Sequence, residues 1–177
     1  MYGKIIINTL LIFALVAMEK SLLPNLPWGI SYLSLILTAL IFILVLNGLD
    51  LALWWALGAG FLLDILSFTP FGAFIIILTI IILTANFLLN NFFTNRSLYS
   101  FFALTVFAIF SYELFLNFVN YFYKLVLGDN SEVLKLDLNF FIFELKLLIF
   151  NLISVFIIFY IFSFISRRLK PVFLIRK

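Results

Sequence analysis

Four of the charged side chains within the apolar runs of this 177-residue chain are the first candidates for chemistry: Asp64, Glu113, Glu144 and Lys146. A charged group inside a membrane helix is costly, so such residues are functional candidates by default. Two carboxylates on different helices could relay protons. However, the chain has no histidine and no cysteine, so a nucleophile would lack its usual activating base. We therefore predict no enzymatic activity, no metal site and no other cofactor.

Composition determines the class of protein that must position these residues. Hydrophobic residues make up 66% of the chain and charged residues 11%, and its mean hydropathy is +1.29. A soluble domain has about 25% charged residues. We predict one integral membrane domain over residues 1–177, with membrane lipid around it. The short run Gly58–Gly60 lacks the lysine and the strand-to-helix context of a phosphate-binding loop, so we predict no nucleotide site there. We also predict no nucleic-acid partner.

Six apolar runs approach the roughly 20 residues that a membrane-spanning helix needs. The predicted fold is all-α: a polytopic membrane protein forming a compact bundle of six transmembrane helices. The first run is not predicted to be a cleaved signal peptide, because Val16–Glu19 offers no small-residue cleavage site. The predicted spans are residues 5–23, 30–46, 49–68, 73–89, 98–123 and 140–165.

Small residues recur every four positions along the third run, at Gly48, Ala52, Ala56 and Gly60, and Asp64 is next in the series. Small side chains let helix backbones approach closely in lipid. We predict that this ridge is a close helix contact, either within the bundle or with a partner's single span. For Asp64 two roles stay open: bonding to neighbouring groups near the end of the helix, or forming part of a ligand site.

Polar residues also share faces on the last two helices. Glu113, Asn117 and Asn120 fall within about 60° of one another on the fifth helix. On the sixth, Glu144 shares a face with Asn151, and Lys146 lies almost opposite. Polar groups on one face of a membrane helix point to a bundle interior, a cavity or a partner.

These faces suggest two arrangements around Asp64. In the first, Asp64 and Glu113 form an outward-facing polar crevice to which Lys146 can contribute an ion pair. In the second, Lys146 extends its ammonium to the lipid headgroups, and Asp64 bonds Ser67 or the backbone of the turn that follows.

Basic residues predict the orientation, because cytoplasmic loops carry an excess of lysine and arginine. With six spans, both termini share one side with seven basic residues, against three on the other. We therefore predict cytoplasmic termini. The seven are Lys4, Arg96, Arg167, Arg168, Lys170, Arg176 and Lys177, and the three are Lys20, Lys124 and Lys135.

The run GFLLDILSFTPFG resembles the MreD family, the small rod-shape-determining membrane proteins of bacteria. In that family a glycine-containing helix ends in an aspartate and a small residue, and a proline and a glycine precede the next helix. The corresponding residues are Gly60, Asp64, Ser67, Pro70 and Gly72.

The resemblance implies a non-enzymatic role in the bacterial cytoplasmic membrane. MreD proteins assemble with the bitopic protein MreC and other members of the machinery that elongates peptidoglycan and maintains cell shape. The family is also similar in architecture to the substrate-binding subunits of energy-coupling-factor vitamin transporters. That similarity gives an alternative function, with a vitamin pocket lined by Asp64, Glu113, Asn117 and Glu144.

Overall fold

The computed structural model describes residues 2–26, 30–67, 69–93, 98–127 and 138–173, which are helical apart from short connections. The all-α prediction is confirmed, since these residues contain six α-helices and no strand. The helices are α1 (Tyr2–Ala17), α2 (Leu35–Asn47), α3 (Leu49–Leu66), α4 (Ala73–Asn91), α5 (Leu98–Leu127) and α6 (Leu138–Phe173).

Helix ends depart from the predicted spans in two ways. The second helix begins at Leu35 rather than at residue 30, after a separate 3-10 turn at Ile30–Tyr32. The last two helices extend beyond their apolar runs, to Leu127 and Phe173. Hydropathy locates the apolar part of a helix, but polar residues outside the hydrocarbon can continue the same helix at no desolvation cost.

Four helical stretches of the described chain are long and apolar enough to cross a membrane: Ile6–Asn25, Leu49–Leu66, Ala73–Asn91 and Leu98–Tyr123. Two further apolar helices are shorter, Leu35–Asn47 and Leu145–Ile161. The 13 residues of α2 rise only about 20 Å, against a hydrocarbon core of about 30 Å. Large apolar side chains lie exposed on the outer faces, among them Trp54 and Phe87, as expected for contact with lipid tails.

The short helix α2 lies at the centre of the bundle. It contacts all five other α-helices, and eight of its 13 residues are buried. A helix that is apolar on all sides is stable only when covered on all sides, which accounts for its central place. The most extensive helix pair is α3 with α4, and this pair carries the run that resembles the MreD family.

Candidate functional site: two acid-capped helix junctions

Gly60 allows the backbones of α3 and α4 to touch. A Cβ atom built on Gly60 would lie 2.7 Å from Cα of Ile75, 2.9 Å from N of Ile75 and 3.1 Å from C of Phe74. All three atoms belong to the backbone of the first turn of α4, so no side-chain rotation could relieve the contact. Glycine at this position therefore sets the distance between the two helices.

Asp64, one turn after Gly60, binds the same turn of α4. Its Oδ1 accepts a hydrogen bond of 2.9 Å from the N–H of Phe74, and its Oδ2 accepts one of 3.3 Å from the N–H of Ile75. These are the second and third residues of α4, whose N–H groups have no partner within the helix. The helix normally receives such bonds from its own N-cap residue, but here that residue is Gly72, which has no side chain.

Electrostatics favour this position for Asp64. The carboxylate lies in the last turn of α3, where the helix dipole disfavours a negative charge, but it also meets the N-terminus of α4, where the dipole favours one. Only 5% of the residue is exposed. Both carboxylate oxygens are engaged by backbone donors, so the buried acid is bonded in place.

The turn between α3 and α4 uses the remaining residues of the run. Ser67 and Thr69 share a hydrogen bond of 2.7 Å between their hydroxyl oxygens. The N–H of Ala73 donates to the carbonyl of Pro70 at 3.1 Å. Gly72 occupies the third position of that turn with φ +93° and ψ −11°, a left-handed conformation that favours glycine. Gly60, Asp64, Ser67, Pro70 and Gly72 thus form one structural unit.

The small-residue ridge is buried within the chain, except at its first member. Ala52 and Ala56 are fully buried, and Gly60 lies against α4. Gly48 differs: a Cβ atom there would meet nothing within 4 Å, and its φ is +96°. Its assignment to the packing ridge was wrong. Gly48 lies in the turn between α2 and α3, where the backbone conformation, and not the size of the side chain, requires glycine.

A second acid, which sequence reasoning did not single out, repeats the arrangement at α2. Oε2 of Glu19 accepts a hydrogen bond of 2.7 Å from the N–H of Ile36, the second residue of α2. Glu19 lies in a π-helical turn, Met18–Leu22, that follows α1. A sequence signal existed: both acids stand near the end of a helix, several residues before a proline-containing connection.

Asn151 of α6 also holds the start of α2. Its Oδ1 accepts from the N–H of Ser34 at 2.9 Å, and its Nδ2 donates to the carbonyls of Tyr32 at 3.0 Å and Leu147 at 2.8 Å. The hydroxyl of Thr38 lies 3.4 Å from the same Oδ1. Asn151 is fully buried, so its side-chain amide joins α6 to the beginning of α2.

The two junctions, α1–α2 and α3–α4, lie at one end of the bundle. The ammonium of Lys20, next to Glu19, lies 5.6 Å from the ring centroid of Phe74, in the first turn of α4. We call this region the junction end. An amide and two carboxylates fix the helix starts there through backbone hydrogen bonds.

The ion pair predicted between Asp64 and Lys146 is not formed by these two described residues. Asp64 binds the backbone of α4 instead, and Nζ of Lys146 lies 5.8 Å from the ring centroid of Tyr32. The second arrangement placed the partner of Asp64 at Ser67 or in the turn, whereas the observed partners are backbone N–H groups of α4 directly after the turn. Ser67 bonds Thr69.

The other predicted polar and basic residues belong to α5, to α6 and to the basic tail. Glu113 and Asn117 lie half-buried on α5. The side chains of Asn120 and Glu144, as well as those of the basic tail, lie outside the described residues. In the described part of the chain, no three or more histidine, cysteine, aspartate or glutamate side chains lie together so that they could hold a metal ion.

Comparison with known proteins gives no relative. No protein-family model matches the chain, and no curated protein or solved structure matches it significantly. The geometry of the junction end is therefore the main structural basis for a functional proposal.

Proposed function

We propose that the protein is a non-enzymatic component of the bacterial cell-wall elongation machinery, an MreD-type protein that supports rod shape by assembling with an MreC-like bitopic partner. The observation that carries this proposal is that the residues of the MreD-like run act on one joint. Gly60 and Asp64 both contact the first turn of α4, and Pro70 and Gly72 form the turn that leads into it. A run that resembles a family motif is thus also a physical unit.

The same geometry supports an assembly role over a transport role. A vitamin-binding subunit needs polar groups that are available to its substrate. Both oxygens of Asp64 are already bonded to backbone N–H groups, so this acid is a poor candidate for a ligand contact. The proposed partner surface lies outside the small-residue ridge, because Ala52 and Ala56 are buried in the chain itself.

In this proposal the protein crosses the bacterial cytoplasmic membrane six times, with α2 and residues 30–34 before it together making the second crossing. Both termini lie in the cytoplasm, so the junction end faces outward. Single cysteines at positions 131 and 166 test the orientation, although neither side chain is among those described. An impermeant thiol reagent should label Ser131→Cys in intact cells and leave Ser166→Cys unlabelled. Labelling of the second position would refute the orientation.

Co-expression with the MreC-like protein of the same organism tests the function. The tagged wild-type protein should retain this partner through detergent purification and should not retain an unrelated bitopic protein. Depletion of the protein in its native host should turn rods into rounded cells. Asp64→Leu should restore shape less well than Lys146→Met, because only Asp64 holds the α3–α4 joint. Absence of co-purification together with unchanged cell shape would exclude the proposal.

A further inference from the structure

An open apolar groove runs along one face of α6. Its volume is about 160 Å³, and it is lined by Leu33, Phe150, Ile153, Ser154, Ile157 and Ile158. Five of these six residues belong to two consecutive turns of α6, and Leu33 comes from the segment that leads into α2. From Phe150 to Ile158 the helix rises about 12 Å. One leaflet of the hydrocarbon core is about 15 Å deep, so the groove fits within a single leaflet.

A cation lies at one end of this groove. Lys146 stands one helical turn before Phe150, and its ammonium lies 5.8 Å from the ring centroid of Tyr32. That ring in turn stacks on Phe150, with 6.1 Å between the centroids. Lys146 is exposed and lies six residues into the apolar run 140–165, from where its four-carbon stem can carry the ammonium toward the headgroups.

We propose that this groove and Lys146 form a binding site for an anionic phospholipid of the leaflet at the junction end. One acyl chain lies along the groove, and the phosphate meets the Lys146 ammonium, which can donate three hydrogen bonds. The proposal is independent of the cell-wall role, because it uses a surface of α6 and not the α3–α4 contact made by Gly60 and Asp64.

Charge decides which lipid occupies the groove. Any acyl chain can cover an apolar surface, so the groove alone does not distinguish one phospholipid from another. The ammonium adds an attraction to a net negative headgroup and little to a zwitterionic one. A basic side chain near an anionic membrane surface contributes about 1 kcal/mol, equivalent to about a fivefold change in affinity. The site should therefore prefer phosphatidylglycerol over phosphatidylcholine by about that factor.

Native mass spectrometry of the full chain in detergent micelles tests this preference. The protein is titrated with phosphatidylglycerol or with phosphatidylcholine of the same acyl chains. Lys146→Gln should lower the affinity for phosphatidylglycerol about fivefold and leave phosphatidylcholine unchanged. Lys20→Gln is the matched control, because Lys20 also lies over an aromatic ring at the junction end but its ring, Phe74, does not line the groove.

A second variant tests the groove itself. Ile153→Trp should fill part of it and weaken the binding of both lipids, while far-UV circular dichroism stays unchanged, since Ile153 is 49% exposed. Glycerol phosphate, the headgroup without chains, should not compete. Equal losses in Lys146→Gln and Lys20→Gln, full competition by glycerol phosphate, or tighter binding of a polyprenyl phosphate than of phosphatidylglycerol would each overturn the assignment.

Discussion

Replacing Gly60 with alanine should destabilise the protein, whereas the same change two residues earlier should not. Gly58 and Gly60 lie on one helix and differ in what a methyl group would meet. At Gly60 the new Cβ would approach backbone atoms of α4, at 2.7 Å for Cα of Ile75. At Gly58 it would meet the side-chain end of Ile12, at 3.2 Å from Cδ1, which can rotate away.

The magnitude follows from the distances. An ordinary contact begins at 3.4 Å, so Gly60→Ala requires α3 and α4 to separate by about 0.7 Å at this point, which also stretches the bonds from Asp64 to α4. Overpacking of this kind costs about 1–3 kcal/mol, whereas alanine gains about 0.5–1 kcal/mol over glycine inside a helix. We expect a net loss of about 1–2 kcal/mol for Gly60→Ala and a change between zero and a small gain for Gly58→Ala.

Reversible unfolding in mild detergent micelles, followed by far-UV circular dichroism, measures both variants against the wild type. The two should differ by about 2 kcal/mol, or roughly 30-fold in the unfolding equilibrium. The comparison within one helix cancels effects of the detergent and of helix propensity. If Gly60→Ala is as stable as Gly58→Ala, then the α3–α4 contact does not depend on glycine at residue 60, and our account of the joint is wrong.

Three further predictions concern the same end of the bundle. Asp64→Leu leaves one buried and one partly buried N–H group of α4 unbonded and should lower the free energy of unfolding by about 2–4 kcal/mol. Asp64→Asn should lose less, since an amide oxygen can keep one bond, and equal losses for both variants would contradict the capping role. Glu19→Leu and Asn151→Leu should each destabilise the start of α2 by about 1–3 kcal/mol, and the double variant should lose less than the sum because both act on one segment; additive losses would count against a shared role. Gly72→Ala should cost about 1–2 kcal/mol through its left-handed backbone alone, with partial recovery in Gly72→Asn, and a neutral Gly72→Ala in the same unfolding assay would remove this explanation.

The sequence predicted the class of fold and the helix end, turn and new helix of residues 60–72, because both depend on local features. Apolar runs locate membrane helices by composition alone. A glycine, an acid, a proline and a second glycine at close spacing mark a helix end, a turn and a new helix. What no local feature indicates is which helix receives the carboxylate. Asp64 could have faced a ligand, a hydroxyl or a backbone, and only the packing of α4 decides among them.

The start of α2 was harder to predict for the same reason. The sequence analysis assigned no role to Glu19, and its partner, Ile36, is separated from it by a proline-containing connection. Asn151 bonds a segment 117 residues away in sequence. Such contacts require the tertiary fold. Gly48 was misassigned because a fixed four-residue spacing was followed to the end of the helix, where backbone conformation, not packing, required the glycine.

The two capped junctions share one physical reason. The N–H groups that the two acids bind at these helix starts are buried or partly buried, and each such group costs free energy if it is left unbonded. An acid on the preceding helix satisfies these groups and also ties the two helices together, which a local N-cap would not do. The residues of the two connections therefore do not need to supply all the hydrogen-bond acceptors for the first N–H groups of α2 and α4. A bundle fixed in this way at one end presents its outer surfaces in a constant geometry, which the proposed assembly role would require.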